Sequence, residues 1–197
     1  MDATLVGWAR AVKARRARRG EHGPALWLFT DATRLADPVA AVGRLPRGLA
    51  GVVLRNDGRA ERGSLGRRIA AICKARRLAL SVAGDWRLAA ALHAGLHLRG
   101  GRQPGGAVPR RLRRLTSSAH GVADLLRARR SAVAVVFLSP AFPTASHPGA
   151  RSLGPARWGL AAGRVGGAAA LGGIDGGRVR RLPRRLCRGA GAIGSLL

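Results

Sequence analysis

The stretch 139–147 reads Ser-Pro-Ala-Phe-Pro-Thr-Ala-Ser-His and follows directly on an apolar run. Ser139, Thr144 and Ser146 are short hydroxyl donors with little bulk around them, which suits them to meeting phosphate oxygens. Two other places offer the same chemistry through the backbone. Gly172-Gly173 and Gly194-Ser195 each follow an apolar run, and glycine lets main-chain N–H groups come close to an anion. Ser117 and Ser118 add two more hydroxyls, and His120 and His147 are able to transfer protons near neutral pH. Arg55, Arg99 and Arg102 are fixed cations able to pair with an anion. Asp57 and Asp85 are carboxylates that follow apolar runs, and Asp85 stands where it would cap a helix. His93 and His97 are four apart but fall on a helix end and a strand, so they make no metal pair. Cys73 and Cys187 have no zinc or CxxC spacing and read as buried thiols in a reducing compartment.

These groups are useful only if one scaffold gathers them. Short apolar runs recur at 25–30, 49–54, 78–83, 95–98, 114–117, 133–138, 168–171 and 190–193. Several lack alternation, the pattern of strands buried on both faces of a parallel sheet. Helical signals lie between most of them. Asp37-Pro38 starts one helix, Leu65, Ile69, Ile72 and Cys73 mark another, and Asp85 leads into Leu88 and Leu92. Val122, Leu125 and Leu126 follow, then Val179 and Leu182. The segment 99–109 reads as a loop. Eight strands alternating with helices predict an α/β fold, a small single-domain (β/α)8 barrel spanning 25–197, with an open doubly wound sheet as the alternative. Residues 1–24 form a basic N-terminal extension in which Leu5, Trp8 and Val12 have helical spacing, as a short helix covering one end of the domain. In such a barrel the strand C-terminal ends carry the chemistry, and each residue singled out above falls at or after one.

Composition narrows the reading. A chain of 197 residues can bury one sizeable core. With 4% aromatics and no Tyr, the expectation is a core of Leu, Val, Ile and Ala making many small contacts. The net charge is +27, and of 36 basic residues only Lys13 and Lys74 are lysine. The arginines are spread over the whole chain, a solvated basic surface rather than a nucleic-acid footprint; an Arg-rich RNA-associated protein remains a third functional reading. No signal peptide or membrane span is expected, and a cytoplasmic location follows.

Seven fragments in order resemble the thiamine phosphate synthase/TenI family: Thr30-Asp31, Leu54-Arg55, His97-Leu98, 117–120 (SSAH), 139–147 (SPAFPTASH), 170–174 (ALGGI) and 189–194 (GAGAIG). The resemblance covers about residues 25–197. It implies a transferase that joins an aminopyrimidine methyl pyrophosphate to a thiazole phosphate and expels pyrophosphate with Mg²⁺ assistance. Thr144 and Ser146 stand where that family holds the thiazole phosphate, with Gly172, Gly173 and Ser195 completing the cradle. The family's Gln and Lys after strand two fall at Val53 and Asp57, its Asn-Asp after strand three at Ala83-Gly84, and its Lys after strand six at His147. Its Gly-Gln-x-Asp after strand four falls in 99–102. The TenI branch's His falls at Pro140. Asp57 and Asp85 are thus the carboxylates left for a metal, and the alternative is a divergent TenI-like barrel that binds a small phosphorylated ligand without synthase activity. The expected partners are the two phosphorylated substrates, with a homodimer through the outer helices.

Overall fold

In the computed structural model, which describes residues 1–55, 61–105, 112, 115–144, 149 and 151–197, eight parallel strands close into a barrel in chain order. They are β1 (Leu26–Phe29), β2 (Ala50–Leu54), β3 (Ala79–Ala83), β4 (Gly95–Arg99), β5 (Leu115–Ala119), β6 (Val135–Leu138), β7 (Ala168–Leu171) and β8 (Cys187–Ala192). Closure is made by β1 pairing with β8 in the register Leu26 with Ala190 and Leu28 with Ala192. The last of the expected strands starts at Cys187 rather than residue 190.

Among the described residues seven α-helices surround the barrel: α1 (Ala3–Ala17), α2 (Pro38–Arg44), α3 (Arg62–Arg76), α4 (Trp86–Ala91), α5 (Val122–Arg130), α6 (Gly154–Gly163) and α7 (Gly176–Val179). Asp37, Asp85 and Asp175 cap α2, α4 and α7 by accepting from the N–H three residues on, at 2.8–2.9 Å. Helix α7 is one turn long and ends at Val179, short of the expected Leu182, because it opens on two glycines that favour helix poorly. Helix α6 has no capping side chain and starts at Gly154-Pro155. A buried Trp158 locks it to β6 by donating its indole N–H to the Leu138 carbonyl.

Helix α1 does not cover an end of the barrel. It runs along β8, antiparallel to it, in the place a helix after β8 would fill. At its start Asp2 caps Leu5 and accepts from Gly176 N, while the Asp2 N–H donates to Ser195 O. At its far end Arg15 and Arg16 donate to the carbonyls of Cys187 and Arg188. Leu5, Val6, Ala9 and Val12 are buried.

The core has two layers of different composition. Between strands and helices it is aliphatic, as expected. Inside the barrel, contrary to the expectation of many small contacts, three rings fill the space: Trp27, Phe29 and Phe137, with Val53, Ala83 and Ala169. Phe137 meets Phe29 edge-on at 4.9 Å and Trp27 at 5.6 Å. Gly51 and Gly191 make room for them, since a Cβ at either would lie 2.7 Å from the Trp27 or Phe29 ring. A narrow cylinder takes few large groups opposed by very small ones.

Because all helices run the same way, their end preferences add up across the molecule. Acidic groups favour helix N-termini and basic groups C-termini. Asp2, Asp37, Glu61, Asp85, Asp124 and Asp175 all lie in N-caps or first turns, and Asp31 follows β1. Among the described acids only Glu21 lies at the opposite end, held between Arg16 and Arg188. There α1, α3 and α5 finish in Arg15-Arg16, Lys74 with Arg76, and Arg127, Arg129 and Arg130.

Candidate functional site

A cavity of about 800 Å³ opens at the C-terminal ends of the strands. Its wall has two unlike sectors. The loops after β6, β7 and β8 form one by main-chain pairing: Ala141 N donates to Leu171 O at 2.8 Å and Phe142 N to Gly172 O at 3.1 Å. The Ser139–Pro140 bond is cis. Gly172 and Gly173 adopt φ of +88° and +63°, where only glycine is unstrained. The fit is also tight, since a Cβ at Gly173 would press into the Pro143 carbonyl and lie 2.9 Å from that of Phe142. Thr144 therefore stands beside Gly173, and both line the cavity with Ser139, Gly194 and Ser195. Ser195 donates its hydroxyl to Ile174 O at 2.6 Å, fastening the β8 end to the loop after β7. Arg178, also on the cavity wall, donates to Gly173 O at 3.2 Å and pairs with Asp175, clasping the same loop.

Arginines form the second sector. Thr30 is buried and accepts from Arg55 N at 2.8 Å, which ties the loop after β1 to the end of β2. Asp31 accepts from Thr33 N and Oγ1 and from Arg34 N through one oxygen, at 2.7–3.1 Å. Its other oxygen takes Arg34 at 3.0 Å and lies 3.8 Å from Arg55. Burial alone would raise the Asp31 pKa, but the bonds from Thr33 and Arg34 outweigh it and hold the carboxyl well below the usual range. Asp31 is thus a fixed anion that aims two guanidinium groups. Arg34, Arg55 and Arg99 all line the cavity.

Between the sectors stand Ser118 and His120, both on the cavity wall. His120 Nδ1 lies 3.3 Å from Ser139 Oγ, and its backbone N–H donates to Asp124 at 3.0 Å. His97 lies deeper, 3% exposed, against Phe29, with Nδ1 2.9 Å from Thr116 Oγ1. Burial, helped by the charges of Arg55 and Arg99, pushes its pKa down to about 3, so the ring is neutral at physiological pH.

Of the residues singled out in the sequence, Arg55, His120, Ser118, Ser139, Thr144, Gly172, Gly173 and Ser195 come together on this cavity. Ser117 does not reach it. Its hydroxyl is buried, accepts from Gly101 N and lies within 3.2 Å of the Leu98 and Ser118 carbonyls, because neighbouring residues on a strand face opposite ways. Asp85 is off the wall as well; it caps α4 through Leu88 N at 2.9 Å and faces Arg62 at 3.8 Å. Asp57, Ser146 and His147 lie outside the described residues. Arg34 and Arg178 are cavity residues that the sequence reading passes over. Each stands three residues after an Asp that it pairs with, and that D-x-x-R spacing at a strand end was the available signal.

Among the described residues no donor set for Mg²⁺ is assembled, and Asp57, one of the two expected carboxylates, lies outside them. Among the described residues no three of His, Cys, Asp and Glu gather to hold an ion, Asp31 is saturated by its own loop and its arginines, and Asp85 is engaged as a cap. The buried thiols of Cys73 and Cys187 are unpaired and pushed up to about 12 by burial, so neither is a nucleophile. No helix among the described residues is long and apolar enough to cross a membrane.

Comparison with known proteins agrees with this geometry. Residues 27–195 match the family model described as thiamine monophosphate synthase. Among solved structures, thiamine phosphate pyrophosphorylase from Pyrococcus furiosus is similar at a TM-score of 0.67 and 20% identity, covering 85% of this chain and 84% of that one. A native KDPGal structure superposes at 0.54 with 16% identity over 85% and 81% of the two chains. A chain of a cube-shaped, highly porous protein cage designed by fusing symmetric oligomeric domains does so at 0.55, with 16% identity over 88% and 64%. No curated protein matches the chain in direct sequence comparison.

Proposed function

Since the chain belongs to the thiamine monophosphate synthase family, we propose that it joins hydroxymethylpyrimidine pyrophosphate to thiazole phosphate with release of pyrophosphate, the coupling step of thiamine biosynthesis. What carries this reading is the division of one cavity into two anion-holding sectors, as two phosphorylated substrates require. The glycine and hydroxyl sector, with Thr144, Gly172 and Gly173, suits the monoester of the thiazole, whose oxygens accept from short donors. The arginine sector, with Arg34 and Arg55 aimed by Asp31, suits the pyrophosphate.

The bond between the pyrimidine methylene carbon and pyrophosphate oxygen breaks, and its electron pair leaves with pyrophosphate. The thiazole supplies the electron pair that forms the new bond to that carbon. Guanidinium groups preorganised at the leaving oxygens stabilise the charge as it develops. His120, beside Ser139, is positioned to give or take a proton at the sector boundary. Arg34 and Arg55 neutralise charge on the leaving group, and Mg²⁺ held through the substrate phosphates would add to them. Unpaired buried thiols suit a cytoplasmic setting.

Incubation with both precursors should release pyrophosphate and yield thiamine phosphate by mass, with neither precursor sufficient alone. The second reading, a TenI-like barrel that binds a small phosphate ester without turnover, is favoured by the engagement of Asp85 as a helix cap. Saturable binding of thiazole phosphate with no pyrophosphate release would establish it instead.

A further inference from the structure

Six exposed arginines that lie far apart in the chain are gathered by the fold at one end of the barrel. The end of the barrel opposite the cavity collects the C-termini of every long helix and the loops into the strands. Arg18 and Arg19 follow α1, Arg47 precedes β2, Arg77 ends α3, and Arg184 and Arg185 precede β8; all six are exposed. Hydrogen bonds fix these segments to one another: Gly48 N donates to Arg76 O, Arg15 to Arg184 O and Arg16 to Pro24 O. The one described acid at this end, Glu21, is already shared by Arg16 and Arg188. Helix dipoles account for where basic residues sit. They do not account for tandem arginines beyond the helix ends, nor for a face that, among the described residues, offers them no free counter-charge.

We propose that this face is a docking surface for the phosphate backbone of duplex nucleic acid, bound without regard to sequence. Exposed guanidinium groups carried on segments that are hydrogen-bonded to one another meet the phosphates of the duplex backbone and gain affinity by counterion release. The rings bear on the choice of partner. Trp27, Trp158, Phe29, Phe137 and Phe142 are all buried, and Trp8 and Trp86 pack against the core, so the face has no stacking platform for unpaired bases. The exposed large apolar side chains, Met1, Val122, Leu126, Leu160 and Leu197, lie at the cavity end or on the outer faces of α5 and α6, so nothing apolar is offered to a membrane interface.

The test is binding of the full chain to a labelled mixed-sequence DNA duplex across a salt series, with phosphatidylserine vesicles as competitor. Two quadruple variants remove the same charge from different places: R18Q/R19Q/R184Q/R185Q on the face, and R10Q/R67Q/R68Q/R157Q on the flanks. The face variant should make the slope of log affinity against log salt shallower by up to about 3.6, at about 0.9 for each phosphate left unneutralised, and the flank variant by less than about 1. Equal changes of slope in both would overturn the proposal, as would absence of duplex binding at low salt or displacement of the duplex by vesicles. Should the face quadruple fail to fold, the pairs R18Q/R19Q and R184Q/R185Q report the same slope, each at about half the change.

Discussion

The two sectors of the cavity are built by opposite means. On the β6–β8 side the backbone is the instrument. The loops after β6 and β7 are hydrogen-bonded to each other, two consecutive glycines take positive φ, and nothing larger fits. On the β1–β2 side the backbone is incidental and side chains do the holding. One carboxylate, fixed by its own loop, orients two arginines, and the pair could be moved by changing the length of a single side chain. A main-chain cradle is rigid and indifferent to side-chain identity except at its glycines. A side-chain clamp is adjustable and fails one residue at a time. A substrate that keeps its phosphate needs the first kind of site, and a pyrophosphate that must depart suits the second.

The largest expected effect breaks the first sector. Gly173→Ala combines a left-handed backbone, roughly 1–2 kcal/mol for an L-residue, with overpacking against the Pro143 and Phe142 carbonyls of roughly 1–3 kcal/mol. Thermal unfolding should move down by on the order of 10 °C, and thiazole phosphate binding should vanish with it. Arg55→Ala breaks the second sector alone. Pyrophosphate release should slow on the order of 100-fold while the melting temperature and thiazole phosphate affinity hold. A fall in thiazole phosphate affinity in this variant would show that the sectors are not independent.

A smaller effect sharpens the comparison by measuring how far the arginine field reaches. His97 is kept neutral first by burial and then by Arg55 and Arg99. Its folded pKa, about 3, lies below the unfolded value near 6.5, so the unfolded chain takes up the extra proton as pH falls and stability is lost from about pH 6.5 downward until about pH 3. Urea unfolding at pH 7 and pH 5 should differ by about 2 kcal/mol from this residue, and His97→Gln should remove that part of the acid loss. In Arg99→Gln the loss should level off at a higher pH, because less positive charge opposes the imidazolium, while the difference between pH 7 and pH 5 stays nearly the same.

The barrel was legible because strands buried on both faces leave uninterrupted apolar runs such as 49–54, whose strand Ala50–Leu54 is buried throughout, and a parallel sheet covered by helices leaves such runs. Caps were legible for the same local reason: Asp37 and Asp85 precede their helices by one residue. Helix α6 has no such mark, since Leu153 offers no cap and Gly154 opens it, and packing of Trp158 decides the matter instead. Strand phase was the other blind spot. Thr116, Ser117 and Ser118 are nearly interchangeable in sequence, yet only Ser118 faces the cavity, and a run of small polar residues carries no hydrophobic alternation from which to read that. The filling of the barrel by Trp27, Phe29 and Phe137 depends on Gly51 and Gly191 from neighbouring strands, a pairing that exists only in the closed register.

The smallest effect decides what Asp85 is for. As an N-cap its carboxylate accepts from Leu88 N and faces Arg62 from 3.8 Å, and neither Asp85 nor Arg62 lies on the cavity wall. Removing it in Asp85→Ala should cost about 1 kcal/mol of stability, seen as a fall of about 2–4 °C in the melting temperature for a chain of this size. Pyrophosphate release should change less than about threefold, about 0.7 kcal/mol in the barrier, since Asp85 does not line the cavity. Asp85→Asn, which still accepts a hydrogen bond, should recover most of the lost stability. A ligand to an ion would behave in the reverse way. Both variants would then lose turnover alike, because an amide caps a helix nearly as well as a carboxylate but holds a divalent cation far less strongly, and the arginine sector would need a metal beside it after all.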